Sequence, residues 1–223
     1  MPRHAARPRF PMKILSFDLD GTLVNTRFTT AVWEQAVPHL YAQKRGLSFD
    51  QAKAEVMAEY CAVGEHAIEW YDIKFWLSRL GLDIDWRTLL SASKTEIEAY
   101  PEVNAVVERL GKAHRMVVLT NAGREFADME LEVSGLDKHF VQVFSATSDL
   151  GMVKKDASFY YRVCRLLKLA PGELTHVGDH LDFDYRAADS AGTRAFFLDR
   201  TGEHQGAHVL RSLDELPERL GSP

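Results

Sequence analysis

Short runs of apolar residues recur along the chain at the spacing expected for an α/β fold. Five such runs are Ile14–Phe17, Met116–Leu119, Val141–Phe144, Leu174–Val177 and Ala195–Leu198. Continuous apolar runs of this length are typical of parallel strands that are buried on both faces. Between the later runs, apolar positions repeat at helical spacing. The alternation of strand and helix predicts a doubly wound, Rossmann-like parallel sheet of five strands.

The predicted helices end at residues that commonly stop a helix. Pro101 opens a helix with an apolar face that ends near Gly111, and a second helix over 124–133 stops at Ser134-Gly135. Further helices are expected over 158–169, 183–191 and 212–220. Proline is favoured in the first turn of a helix and glycine just after its end, so these positions agree with the apolar periodicity.

The stretch between the first two apolar runs is too long for a single crossover connection. Most of it has helical spacing, and Ser48-Phe49-Asp50-Gln51 has the capping-box pattern that starts a helix. We therefore expect an α-helical cap over residues 28–94, inserted into an α/β core that comprises residues 12–27 and 95–223. Because the insertion directly follows the first strand, it should lie over the carboxyl edge of the sheet.

Composition and charge narrow the class of protein. The chain has 223 residues, of which 46% are hydrophobic, and a formal net charge of −5. A mildly acidic protein lacks the basic stripe of a nucleic-acid binder, and no apolar run approaches the length of a membrane span. We therefore expect neither nucleic acid nor membrane as a partner. The well-separated Cys61 and Cys164 favour a reducing, cytoplasmic location. Residues 1–11, basic and proline-rich, are expected to form a flexible tail.

Two carboxylates follow the first apolar run directly. Asp18 and Asp20 are one residue apart, and Gly21-Thr22 then breaks the strand pattern. Ligands bind at the carboxyl edge of parallel sheets, which is where these residues should lie. Neighbouring carboxylates repel each other, and a hard cation relieves that repulsion. The pair alone is equally consistent with a solvated acidic turn.

Three later segments add polar groups to the same predicted edge. Thr120-Asn121 follows the second run and precedes a helix, where hydroxyl, amide and free backbone N–H groups can meet an oxyanion. Lys154 could neutralise phosphate oxygens or a nearby carboxylate. Gly178-Asp179 follows the fourth run, and Asp184 comes five residues after Asp179. Asp179 could complete an oxygen cage with Asp18 if their strands are neighbours.

Taken in order, these segments resemble the motifs of the haloacid dehalogenase-like superfamily, in particular its helical-cap subgroup related to phosphoglycolate phosphatase and β-phosphoglucomutase. The resemblance covers roughly residues 13–199. Its Asp-x-Asp-Gly-Thr motif matches residues 18–22, and its Gly-Asp-x4-Asp motif matches residues 178–184. The lysine motif departs from the usual Lys-Pro-Asp-Pro and reads Lys-Lys-Asp-Ala at residues 154–157. The surrounding frame favours Lys154 as the functional lysine, and Lys155 is the alternative.

The resemblance implies a phosphatase that forms an aspartyl-phosphate. By this similarity Asp18 is the nucleophile, and Asp20 is the general acid and then the general base. Mg²⁺ is the implied cofactor, held by Asp18, by the backbone carbonyl of Asp20 and by Asp179.

Other residues are expected to support this chemistry. Thr120, Asn121 and Lys154 would bind the phosphoryl oxygens. Asp184 would hold Lys154 or a metal-bound water behind the direct ligands. The implied partner is a small phosphorylated molecule.

Alternative functions remain open on the same scaffold. A phosphomutase or phosphotransferase would use the same core residues with a sugar hydroxyl in place of water. A non-catalytic phosphate-binding protein would be expected to lose some of Asp18, Asp20, Lys154 and Asp179, which are all present. The Asp20 carboxyl disfavours a dehalogenase, which does not need an acid at that position. A dinucleotide-binding fold is excluded, because no Gly-x-Gly-x-x-Gly follows the first strand.

The predicted cap is rich in aromatic residues, which are Trp33, Trp70, Tyr71, Trp76 and Trp86. One of these rings could stack on a base or a sugar of the substrate. Packing between the helices of a small subdomain is the favoured interpretation. His176 lies within a predicted strand and is expected to be a satisfied core or near-site residue rather than a metal ligand.

Overall fold

The computed structural model describes residues 14–154 and 156–221. The expected tail at residues 1–11 lies outside the described residues, as does Lys155. The described chain contains a parallel sheet with the strand order β3-β2-β1-β4-β5-β6. The strands are β1 (Ile14–Phe17), β2 (Arg115–Thr120), β3 (Gln142–Ser145), β4 (Leu174–Gly178), β5 (Arg194–Leu198) and β6 (Val209–Leu210). The predicted α/β architecture with a parallel sheet is confirmed.

The number of strands in the prediction was wrong by one. The sheet has six strands instead of five, because Val209–Leu210 pairs in parallel with the edge of β5. Both residues of β6 are buried. Two residues are too few to show any periodicity, so the sequence pattern carries no signal for this strand.

A helical segment, defined here as residues 27–96, connects β1 to the rest of the α/β part. Its α-helices are α1 (Arg27–Thr30), α2 (Val37–Arg45), α3 (Phe49–Val63), α4 (Ile73–Arg79) and α5 (Trp86–Ser93). A π-helical turn, Ala31–Ala36, joins α1 to α2, and the 3₁₀ turns Ile68–Tyr71 and Lys94–Glu96 complete the segment. The predicted capping box is present, because the Ser48 side chain accepts from the Gln51 N–H and the Gln51 side chain accepts from the Ser48 N–H.

The remaining helices flank the sheet. They are α6 (Val103–Gly111), α7 (Arg124–Ser134), α8 (Ala146–Leu150), α9 (Ala157–Leu167), α10 (Ala187–Ser190) and α11 (Leu216–Leu220). Four short turns accompany them: the π-helical turn Leu181–Arg186 and the 3₁₀ turns Asp137–His139, Pro171–Glu173 and Leu213–Glu215. Within the described residues, no helix is both long enough and apolar enough to cross a membrane.

Alternate residues of the strands serve two hydrophobic clusters, one on each face of the sheet. Leu15 and Phe17 belong to one cluster, while Ile14 and Leu119 belong to the other. A third cluster lies within the helical segment and includes Phe28, Trp76 and Leu90. Phe126 of α7 joins this third cluster, so the helical segment packs directly against the α/β part. Phe126 lies in the first turn of α7, shortly after the carboxyl end of β2, so this contact is made near the carboxyl edge of the sheet.

Candidate active site

The strand order brings three of the predicted site residues to one edge of the sheet. β1 lies between β2 and β4, with Phe17 paired to both Val118 and Val177. Asp18 follows β1, Thr120 ends β2, and Asp179 follows β4. The Asp18 N–H also donates to the carbonyl oxygen of Val177 at 2.8 Å, which extends the ladder by one residue. Neighbouring parallel strands therefore deliver these groups side by side.

Lys154 is the centre of the polar contacts at this edge. Its Nζ lies 2.6 Å from Asp18 Oδ1 and 2.6 Å from Asp184 Oδ1, and it donates to the Leu119 carbonyl oxygen at 2.7 Å. An ammonium group has three protons, so each proton has an acceptor. The side chain is only 2% exposed. The arrangement makes Lys154 the counter-charge for two buried carboxylates.

The pKa directions of the three groups follow from this geometry. Burial raises the pKa of Asp18, and the charges of Asp184 and Asp179 raise it further, so that it lies well above its usual range despite Lys154. Burial also disfavours the charge of Asp184, but Lys154 and His176 outweigh it and hold the pKa of Asp184 well below its usual range. The two carboxylates overcome the effect of burial on Lys154 and raise the pKa of the ammonium. Asp184 and Lys154 thus form a firmly ionised pair.

His176 supports Asp184 from within the sheet. Its Nε2 lies 3.2 Å from Asp184 Oδ1, and its Nδ1 lies 2.9 Å from the Ser16 hydroxyl. Burial lowers the pKa of His176, so the ring is neutral and carries one N–H. A proton on Nε2 serves Asp184. The single Ser16 hydroxyl proton has two acceptors within reach, Nδ1 at 2.9 Å and the Thr175 carbonyl oxygen at 3.1 Å. The fully buried ring is satisfied by these partners, which agrees with the expectation from the sequence.

Glycines in two of the motifs allow carboxylates to approach the backbone. A Cβ on Gly21 would lie 2.1 Å from Asp179 Oδ2, and the φ of Gly21 is +76°. A Cβ on Gly178 would lie 2.2 Å from the Asp184 carboxyl. Real Cβ atoms do not approach other atoms so closely, and a positive φ is strained for residues with side chains. Packing at the site therefore favours glycine at positions 21 and 178.

The other predicted phosphate-binding residues adjoin Lys154. The Asn121 Oδ1 accepts from the backbone N–H of Lys154 at 2.7 Å, and this contact ties β2 to the loop that carries the lysine. The Thr120 Oγ1 accepts from the Ala122 N–H at 3.0 Å. Both side chains are buried and line the same cavity as Asp18. The structure brings these residues together, and their roles toward phosphate stay predictions.

Glu130 is a buried carboxyl group that the sequence analysis missed. It projects from α7, is 0% exposed, and faces the carboxyl of Asp20. Asp20 Oδ1 and both Glu130 oxygens meet no other donor among the described residues. Two carboxyl groups can bond to each other only when one of them carries a proton. The sequence did carry a signal for this residue. Glu130 is a carboxylate at an apolar position of α7, four residues after Phe126.

The two members of this pair titrate in different ranges. Burial raises the pKa of Asp20 to about 6, and the hydrogen bond with Glu130 limits the rise. Burial and the charge of Asp20 raise the pKa of Glu130 well above its usual range. The hydrogen bond lowers the pKa of Asp20 and raises that of Glu130, so the shared proton is favoured on Glu130, which donates to Asp20. A group that titrates near neutrality suits proton transfer.

Three carboxylates have the arrangement of a cation site. One ligand oxygen from each of Asp18, Asp179 and Asp184 lies within 4.8 Å of the others. Burial, followed by the charge of Asp184, raises the pKa of Asp179 to about 7, as expected for carboxylates that repel one another. An all-oxygen donor set of this kind fits Mg²⁺. Asp184, expected behind the direct ligands, lies as close as the other two.

A cavity of about 560 Å³ opens from these carboxylates into the helical segment. Trp33, Trp70 and Tyr71 line it, whereas Trp76 is fully buried in the third hydrophobic cluster. Trp33 stacks on Phe126 with ring centroids 5.3 Å apart and planes at 14°. The pairing of Trp33 with Phe126 has no signal in the sequence, because the two rings are distant along the chain.

Comparisons with known proteins agree with this architecture. The model of the haloacid dehalogenase-like hydrolase family matches residues 12–192. Over 164 aligned residues, the chain is 27% identical to the GMP/IMP nucleotidase of Escherichia coli. The alignment covers 73% of this chain and 72% of that protein. It is 32% identical over 135 residues, or 57% of either chain, to (S)-2-haloacid dehalogenase 4A of Burkholderia cepacia.

A solved structure gives the same result for the fold. The crystal structure of a haloacid dehalogenase-type phosphatase from Thermococcus onnurineus superposes with a TM-score of 0.84 at 25% identity. The superposition covers 95% of this chain and 99% of that one. The likeness therefore extends over the helical segment as well as the sheet.

Proposed function

The chain belongs to the haloacid dehalogenase-like hydrolases, and on that premise we propose that it is a magnesium-dependent phosphatase of a small phosphomonoester. The observation that carries this proposal is the pair at the end of β1: a carboxylate, Asp18, held by Lys154, with a second carboxyl, Asp20, whose pKa is about 6. A dehalogenase needs no proton donor at the second position, whereas the oxygen that leaves phosphorus does.

The nucleophile in this proposal is the free oxygen of Asp18. Lys154 holds Oδ1 at 2.6 Å, which leaves Oδ2 to attack phosphorus in line. The bond from phosphorus to the leaving oxygen breaks while Asp20 gives that oxygen its proton. The product is an aspartyl-phosphate on Asp18 and the free alcohol.

Hydrolysis of the aspartyl-phosphate reverses the role of Asp20. Its carboxylate takes a proton from water, the water oxygen bonds to phosphorus, and the Asp18 carboxylate is released with inorganic phosphate. Burial and the charge of Asp20 raise the pKa of Glu130 well above its usual range, which favours the protonated form of Glu130 beside Asp20. Asp20 can therefore cycle between acid and base without a second carboxylate charge beside it.

The phosphoryl oxygens would be bound by groups around Lys154. Thr120, Asn121 and the Lys154 ammonium are the candidates, since all three line the cavity next to Asp18. Mg²⁺ would be held by Asp18, Asp179 and Asp184, together with the backbone carbonyl of Asp20. When bound, the cation offsets the negative charge that otherwise keeps a phosphate dianion away from a carboxylate.

We assign residues 28–94 as a cap that selects the leaving group. The cap helices carry much of the cavity wall, and contacts fasten them to α7: Trp33 stacks on Phe126, and Lys74 forms a salt bridge with Glu125. The curated relative that acts on GMP and IMP supports a small phosphorylated substrate. Two cysteines without a disulfide, Cys61 and Cys164, support a cytoplasmic location.

Hydrolysis of an aryl phosphate tests the proposal. Wild-type protein should turn over p-nitrophenyl phosphate with Mg²⁺, and a chelator or Asp18→Asn should abolish that turnover. Asp182→Asn is the matched control, because Asp182 is an exposed aspartate of the same motif that pairs with Arg186. Turnover that survives both the chelator and Asp18→Asn would disprove the assignment of Asp18.

A further inference from the structure

The cavity is larger than a phosphoryl group requires. Its volume of about 560 Å³ lies within the range of ~300–1,000 Å³ that is typical of sites for small organic molecules. Asp18 lines it from the sheet, and Trp33, Tyr60 and Trp70 line it from the helical segment. A phosphate placed at Asp18 leaves most of this space for the alcohol to which it is esterified.

Two stacked ring pairs present flat faces along the cavity. Trp33 lies on Phe126 as described above, and His180 lies on Phe183 with centroids 4.0 Å apart and planes at 7°. Phe126 and Phe183 are buried, whereas Trp33 and His180 are only partly buried, so each pair keeps accessible ring surface where these two rings line the cavity. Planar rings bind such faces by offset stacking. The wall chemistry therefore favours a flat ring over a flexible polyol.

The charges along the cavity disfavour an acidic leaving group. Among the described residues that line it, Lys154 is the single lysine or arginine, and its protons go to Asp18, Asp184 and the Leu119 carbonyl. Two further carboxylates line the part formed by the helical segment. Glu34 has a counter-ion, Lys53, at 3.1 Å, and Glu65 is exposed. A carboxylate or second phosphate on the substrate would meet like charge there.

Building on the phosphatase function given above, we propose that the leaving alcohol carries a planar, uncharged heteroaromatic ring, and that alcohols bearing a carboxylate or a second phosphate are rejected. A purine nucleoside 5′-monophosphate and flavin mononucleotide both have this chemistry. The aromatic faces bind the ring, and Glu65, whose charge no salt bridge among the described residues offsets, disfavours acidic competitors.

A substrate panel tests the ring preference and distinguishes a purine nucleotide from a flavin nucleotide as the preferred substrate. The full-length protein with Mg²⁺ is assayed on inosine 5′-monophosphate, flavin mononucleotide, glycerol 3-phosphate, phosphoglycolate and acetyl phosphate. We expect kcat/KM for at least one ring substrate to exceed that for glycerol 3-phosphate about tenfold or more. Stacking of a base on an aromatic side chain contributes to binding by about this factor in other proteins. Phosphoglycolate should fall below glycerol 3-phosphate. Equal values, or a preference for phosphoglycolate, overturn the proposal.

Two variants with matched controls locate the selectivity. Trp33→Leu should lower kcat/KM on the better ring substrate about tenfold more than on acetyl phosphate. Trp86→Leu changes a tryptophan of the same segment outside the cavity and should leave that ratio unchanged. An equal loss on both substrates in Trp33→Leu counts against the ring site.

The charge argument has its own gain-of-function test. Glu65→Arg places a cation on an exposed position of the wall and should raise kcat/KM on phosphoglycolate about tenfold, whereas Glu69→Arg, outside the cavity, should not. No gain with Glu65→Arg overturns the charge argument. If the protein hydrolyses acetyl phosphate in an Asp18-dependent way but shows no ring preference, the ring proposal is wrong and the phosphatase function stands. If no substrate is hydrolysed in an Asp18-dependent way, both the ring proposal and the phosphatase function are wrong.

Discussion

The two ends of the cavity differ in what surrounds each side chain. At the sheet edge, Lys154, Asp18 and Asp184 are buried and joined by contacts of 2.6 Å, and His176 and Ser16 extend the chain of partners. In the helical segment, the wall includes four aromatic rings, and Trp33, Trp70 and Tyr71 are only partly buried. Removing one charged group leaves another without its partner, whereas removing one ring leaves apolar neighbours. The charged end should therefore tolerate far less change than the aromatic end.

After Asp18→Asn, the largest effect is expected from Asp20→Asn. An asparagine cannot give a proton to the leaving oxygen, so turnover of an alkyl phosphate should fall by about 10²–10⁴. With p-nitrophenyl phosphate, whose leaving group needs little protonation, we expect a burst of nitrophenol followed by slow turnover. Rapid-mixing kinetics would measure the burst, and Asp182→Asn serves as the control. Unchanged turnover of an alkyl phosphate would contradict the acid–base role.

Lys154→Met measures how strongly the charged end depends on one cation. The variant leaves Asp18 and Asp184 buried beside each other without their ammonium, and removal of one partner of a buried ion pair costs about 3–5 kcal/mol. Urea unfolding should show this loss. Lys138→Met, at an exposed lysine, should stay within ~0.5 kcal/mol of wild type. A Lys154→Met protein as stable as wild type would mean that the network is not required for folding.

The pH dependence of stability should depend on the bound metal. The folded pKa values of Asp20, about 6, and Asp179, about 7, lie above the ordinary value of 3.8. The folded protein therefore binds more protons than the unfolded chain between pH 4 and 7. Their contribution to stability is complete below pH 4 and is lost as the pH rises through 6 and 7. Asp184 stays ionised throughout this window and does not oppose the trend.

Urea midpoints at several pH values test this linkage. Protein in chelator should have a lower midpoint at pH 7.5 than at pH 5.5. Added Mg²⁺ should raise the midpoint more at pH 7.5, because it replaces the protons on the carboxylates. A midpoint in chelator that rises with pH over this window would contradict the assigned pKa directions.

Gly178→Ala should have a smaller effect that is confined to the charged end. The new Cβ would lie 2.2 Å from the Asp184 carboxyl, which must move away from His176 or Lys154. Overpacking of this kind costs about 1–3 kcal/mol, and activity should fall as well. Gly111→Ala is the control, because its Cβ would meet only the flexible end of Met116 at 3.3 Å. Equal effects of the two substitutions would argue against a special constraint at Gly178.

The smallest effect is expected at the aromatic end. Met57 lines the cavity and is partly buried against the third hydrophobic cluster. Met57→Leu conserves volume, so the free energy of unfolding should change by less than ~1.5 kcal/mol. KM should shift by a few-fold at most, with kcat nearly unchanged. A loss as large as that of Lys154→Met would erase the difference between the two ends.

Much of the charged end could be predicted from the sequence because its groups lie just after buried strands. The run Ile14–Phe17 is a strand with the predicted bounds, and Asp18 follows it directly. Parallel strands with functional groups at their ends meet at one edge. Asp179 is therefore expected beside Asp18 on the condition that their strands are neighbours, and β1 does pair with β4. The role of Gly178 could not, because it depends on where the Asp184 carboxyl packs.

The aromatic end and the short elements were less accessible to sequence reasoning. Ring stacking between Trp33 and Phe126 depends on how the helical segment packs on α7, which periodicity does not encode. Glu130 faces Asp20 for the same reason. The strand Val209–Leu210 is too short for a pattern. Local repeats thus predict elements and their ends, while contacts between distant elements require the tertiary structure.

The stack of Trp33 on Phe126 spans two parts of the chain, one in the helical segment and one in α7. Any opening movement between these parts would divide that ring face and break the Lys74–Glu125 pair. A substrate whose phosphate is held at Asp18 and whose ring rests on Trp33 would contact the α/β part and the helical segment at once, so it would favour the closed conformation and shift the population toward it. The product alcohol would then leave only after reopening, so the best-bound leaving group would also be the slowest to depart.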